Sequence, residues 1–166
     1  MAKKADFTAE EWATLRDAPM LVSLSVATAG FSGLLGSLKE AFAPAHAIVD
    51  AAKGNNELLR NVCERQELTA AKDSVQSAVK TTDHKALAES LQTMAAAKAS
   101  EAMAILKRKG AAGDLEAYRS FLADLTDRTA KAAKEGSFLG FGGEWVSEGE
   151  RAVIARISKA LEVPPS

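Results

Sequence analysis

The chain has 166 residues, 26% of them charged and 47% apolar, with a formal net charge of −1. A chain of that length hides roughly 70% of its unfolded surface, so stability requires neither disulfides nor a structural metal. The near-zero charge removes the usual electrostatic reason to expect nucleic acid.

A lone Cys63 leaves no internal disulfide, and the opening Met-Ala-Lys-Lys-Ala-Asp is not followed by the apolar run of a secretory signal. A cytoplasmic location is therefore expected. Alanine supplies 34 residues, and few segments alternate apolar and polar as a half-buried strand does. The fold expected is all-α, a compact single domain over residues 1–166 built from about six to eight helices.

In chain order, Thr8 and Glu11 form a capping box, with Phe7 and Trp12 at the two positions of a hydrophobic staple. Pro19 is expected to end that first short helix or to begin the next. From Ala18 to Leu38 there are 21 residues without a charge, long enough to cross a bilayer. Its serines and glycines favour instead a central helix, Pro19 to Ala29, buried on all sides and followed by a glycine-marked turn.

Pro44 opens a further helix, and Gly54-Asn55-Asn56 closes it. Glu57, Arg60 and Glu64 are spaced as ion pairs on a solvated face, with Leu58, Leu59 and Val62 buried beside Cys63. Leu68 to Val79 continues as helix. Thr81-Thr82-Asp83 caps a long helix to Lys109, with Leu87, Leu91, Met94, Ala102 and Ile105 inward. Its Lys107-Arg108-Lys109 end sits where a helix carboxyl terminus favours cations.

Asp114 is expected to cap a helix that carries Leu115, Tyr118, Leu122 and Leu125 inward and stops at Gly136. A second capping box, Ser147 with Glu150, starts a last helix whose apolar face is Val153, Ile154, Ile157 and Leu161. Between them lies a loop with Gly136, Gly140, Gly142 and Gly143. It lacks the Lys-Ser/Thr ending of a phosphate cradle and the spacing of a dinucleotide fingerprint. Phe138, Phe141 and Trp145 are expected to press back onto the bundle and lock it. As an exposed aromatic patch, the same three are the candidate interaction residues.

Catalytic signals are absent. The histidines are His46 and His84, no G-x-S-x-G pattern exists, and Cys63 lies on an apolar face among acids, which raises a thiol pKa. His46 and Asp50, four apart on one helix, are the weak metal candidates, but two ligands do not make a site. No catalytic residue, metal or cofactor is expected.

The segments FTAEEWATLRDAPMLVSLSVATA and GGEWVSEGERAVIARISKALEV, little more than a quarter of the chain, resemble the TerB-like tellurite-resistance family of bacterial helical proteins. The resemblance implies a compact helical bundle, a link to stress resistance, and divalent-ion binding through acidic turns. The family's Asp-Gly turn is replaced here by Ala29-Gly30-Phe31-Ser32-Gly33, with no carboxylate until Glu40. At the second turn Ser147 and Glu150 match without a preceding aspartate.

The function expected is a non-catalytic helical protein-interaction or stress-associated module, with a protein partner or self-association. The alternatives are a divalent-ion-binding resistance protein and, through residues 18–38, a membrane-associated one.

Overall fold

The computed structural model describes residues 2–30, 45–81, 83–109, 112–137 and 147–162. Among these the chain forms a 3-10 turn at Lys4–Asp6, seven α-helices and no strand. The helices are α1 (Ala9–Gly30), α2 (Ala45–Lys53), α3 (Glu57–Val62), α4 (Arg65–Ala78), α5 (His84–Arg108), α6 (Ala112–Ser137) and α7 (Glu148–Ala160). The all-α bundle expected from composition and periodicity is what forms.

Helix α1 is the axis. It packs against α4, α5, α6 and α7, most extensively against α5, while α2 and α3 lie against each other and against α6. One hydrophobic cluster runs from Phe7 to Leu161 and draws residues from every helix. Glu11 meets Arg108, and Thr14 meets Lys98, so α1 and α5 run antiparallel. Ala95, Ala99 and Ala102 of α5 are fully buried, and such small side chains let helix backbones approach closely.

Every residue from Asp17 to Thr28 is buried. A helix segment with no charge on any side is one that a core can bury all round. The hydroxyls that interrupt it are satisfied within the helix: Ser23 donates to the Pro19 carbonyl at 2.9 Å, Ser25 to Val22 at 2.9 Å and Thr28 to Leu24 at 2.8 Å. No described helix is long and apolar enough to cross a membrane.

Three expectations are corrected. Pro19 neither ends nor starts a helix; it lies inside α1. Proline has no N–H for the carbonyl four residues back, normally a costly loss. Here the fully buried Tyr118 hydroxyl donates to the Leu15 carbonyl at 2.6 Å, replacing the missing backbone donor. Asp114 does not cap α6, which begins two residues earlier. Its buried carboxylate instead accepts from the Ala2 amide at 2.6 Å and from Asn56 Nδ2 at 2.8 Å. Asn56 caps α3 through the Leu59 amide, so one acid ties together the amino-terminal segment, α3 and α6. Finally, Arg60 forms no ion pair with Glu57 or Glu64 among the described residues; its guanidinium lies 3.5 Å from the Gly54 carbonyl.

Candidate functional site

The first capping box forms as its spacing requires. The Thr8 amide donates to Glu11 at 3.0 Å and the Glu11 amide donates to Thr8 Oγ1 at 3.1 Å. Phe7 and Trp12 are both buried, their ring centroids 6.1 Å apart, which is the staple. The basic end of α5 closes over this turn: Arg108 and Lys109 lie 2.9 and 3.1 Å from the Glu11 carboxylate. The Thr8 amide, Lys109 and Arg108 together hold the Glu11 carboxyl down to about 2. The cationic cluster thus joins two helix ends.

Glu67 and Asp17 are the other acids beneath that end of α1. Glu67 accepts from Trp12 Nε1 at 2.8 Å and pairs with Lys4. Burial works to raise its pKa, but the Lys4 and Trp12 hydrogen bonds and the charges of Lys4 and Arg16 outweigh it, leaving the carboxyl below its ordinary value. Asp17 is held by Arg16 at 2.7 Å and by Ser74 at 2.7 Å. Glu150, also buried, closes the Ser147 capping box at 2.8 and 3.2 Å. All of these carboxylates are spent on scaffold contacts.

The nucleophile candidates are equally committed. Burial pushes the Cys63 thiol up to about 12, as its apolar helical face implied, and a protonated thiol is a poor nucleophile. Burial, then Cys63 and Asp17, drive the Tyr118 phenol well above its ordinary pKa, leaving its hydroxyl a donor to Leu15.

The weak metal candidates both lie on α2. His46 is exposed, and Asp50 pairs with Arg128 at 3.0 Å, which also holds Asp124 at 2.9 Å. Among the described residues no group of three or more His, Cys, Asp or Glu is placed to hold a metal ion. The loop candidates Phe138, Phe141 and Trp145 lie outside the described residues.

What sequence reasoning missed is a recess of about 220 Å³ between α1, α4 and α5. Its floor is Met20, Leu24, Val75 and Leu91, all buried. Half-buried Val79 and Leu87 rise to its rim, where Lys72, Gln76 and Thr81 supply the polar groups. Lys72, Val75, Gln76 and Val79 fall at three-and-four spacing, so one face of α4 is recognisable in the sequence. The facing residues of α1 lie about fifty positions upstream, and those of α5 a short connection downstream. Elsewhere the large apolar side chains are covered: Val49 is the one exposed among the described residues.

The recess is lined mainly by apolar side chains, with Lys72, Gln76 and Thr81 as its polar residues. A scan against family models, a search of curated proteins and a search of solved structures each find no match.

Proposed function

We propose that this chain is a non-catalytic helical binding module, which holds a partner through apolar contact and leaves its covalent structure unchanged. The observation that carries the reading is the recess between α1, α4 and α5, an apolar hollow among described residues whose large hydrophobic side chains, Val49 apart, are otherwise covered. Such hollows with a few polar groups at the rim are where proteins take up small ligands or a partner's side chain. The engagement of Asp17, Glu67, Asp114 and Glu150 in scaffold contacts supports the same reading, because a catalytic acid or base has to be released to the reacting group. A protein partner, a cytoplasmic setting and the stress association implied by the TerB-like resemblance belong to this proposal as expectations.

The test is native mass spectrometry of the protein isolated from its own cells. A stoichiometric non-covalent species is expected on the wild type and absent from a folded Val79→Trp variant, whose indole fills the rim. Recovery of the bare chain in both cases contradicts the proposal.

A further inference from the structure

Three properties of the recess define what fits it. The first is size. A cavity of about 150 Å³ is enough to bind benzene, and drug-sized ligands occupy pockets from about 300 Å³ upward. At about 220 Å³ the hollow suits a compact ligand of roughly ten non-hydrogen atoms. The second is polarity. Leucine, valine and methionine side chains make the floor, and a charged or strongly hydrated group placed there loses its water without replacement. The third is the rim, where Lys72 stands on α4 with Gln76 one turn further on and Thr81 in the connection to α5. None of the ion pairs among the described residues uses Lys72. Lys72 is half-buried where it lines the recess, a position from which a lysine can rest its methylene stem on apolar surface and keep its ammonium in water.

We infer that this recess is a binding site for a small amphipathic carboxylate, a medium-chain acid whose hydrocarbon tail enters between α1, α4 and α5 and whose carboxylate stays at the rim on Lys72. The tail replaces water over Met20, Leu24, Val75 and Leu91. The carboxylate accepts a charge-assisted bond from the Lys72 ammonium, with the Gln76 amide and Thr81 hydroxyl as further donors. Cationic ligands meet like charge at the mouth. Short acids such as acetate lack the apolar area that makes entry favourable. This inference rests on the binding-module reading and names the ligand class for it.

The experiment is a titration of the full chain, followed by backbone amide NMR shifts, with octanoate, octanol and acetate in turn. Octanoate is expected to saturate with a Kd below about 1 mM, in the range open to a ligand of this size. Its shifts should centre on Leu24, Val75, Val79 and Leu87. Octanol is expected to bind about tenfold more weakly, and acetate to give no saturable shift. Lys72→Met, which keeps an apolar stem at a partly exposed position, should reduce octanoate to the octanol affinity and leave octanol unchanged.

Two results overturn the inference: no saturable octanoate shift at these residues, or equal affinity of octanoate and octanol with no effect of Lys72→Met. If octanoate does not bind but the protein from its own cells carries another species that Val79→Trp removes, the ligand class is wrong and the module reading survives. If neither is seen, both fall.

Discussion

From Ala9 to Asp17, α1 is held by named polar partners: the Thr8 capping box, Arg108 and Lys109 on Glu11, Trp12 on Glu67, and Ser74 on Asp17. From Ala18 to Thr28 the same helix carries no charge, is buried throughout, and turns its hydroxyls back onto its own carbonyls. Polar contacts have direction and specific partners, so the first half fixes which residue of α5 and α4 meets which residue of α1. Burial is non-directional, so the second half supplies adhesion and tolerates an unfilled hollow along Met20 and Leu24. Tyr118 stands at the junction, filling the donor position that Pro19 leaves empty. The recess belongs to the adhesive half, where no hydrogen-bond network has to be interrupted to leave room for a guest.

The largest effect is expected from a charge in the adhesive half. Val22 is fully buried, and Val22→Asp should cost on the order of 3–5 kcal/mol, the range for an uncompensated buried charge. Circular dichroism of the purified variant should show loss of the cooperative melt; a native-like melting curve contradicts the description of this segment.

At the junction, Tyr118→Phe leaves the Leu15 carbonyl without its side-chain donor, a loss of about 1–3 kcal/mol. The same substitution made in a Pro19→Ala background should cost about 1 kcal/mol less, because alanine restores the backbone donor. Urea denaturation of the four proteins measures this coupling, and additive costs contradict the replacement of one donor by the other.

At the polar end, Glu67→Gln keeps an acceptor for Trp12 but loses the charge that holds Lys4. Its cost is expected near 1 kcal/mol, read from the same denaturation curves.

The smallest effect is a pH dependence. The Glu11 carboxyl lies at about 2 in the fold against 4.5 for the free group. With the folded value depressed, the unfolded chain binds more protons in this window, so stability rises with pH. Its contribution is fully present above 4.5 and is lost as pH falls towards about 2. Glu67, also depressed, acts in the same direction. Denaturation midpoints of Glu11→Gln should therefore fall less steeply than those of the wild type across this window, and parallel curves would show that Glu11 is not held by its cations.

What was legible in the sequence was local. Thr8 with Glu11, Asp83 and Ser147 with Glu150 are contacts three residues long, and each forms as its spacing implies. The inward faces of α5, α6 and α7 follow from helical period, since Leu91, Ile105, Tyr118, Leu122, Leu125, Val153 and Ile157 are all buried. What was not legible depends on distant partners. Pro19 reads as a break until Tyr118, about a hundred positions away, is placed beside Leu15. Asp114 reads as a cap until the Ala2 amide and Asn56 reach it. His46 and Asp50 share a helix, but Arg128 claims the aspartate from another element. The recess is the extreme case: its walls come from three helices, and only the α4 face carries a pattern within one stretch of sequence.

The measurement that bears most directly on the division between scaffold acids and an apolar binding site is the native mass spectrum of Glu67→Gln isolated from its own cells beside the wild type. The variant is predicted to retain the bound species in full even though its denaturation midpoint falls. A folded Glu67→Gln protein that has lost that species would put the binding function at the Lys4–Glu67–Trp12 cluster and contradict its assignment to the recess.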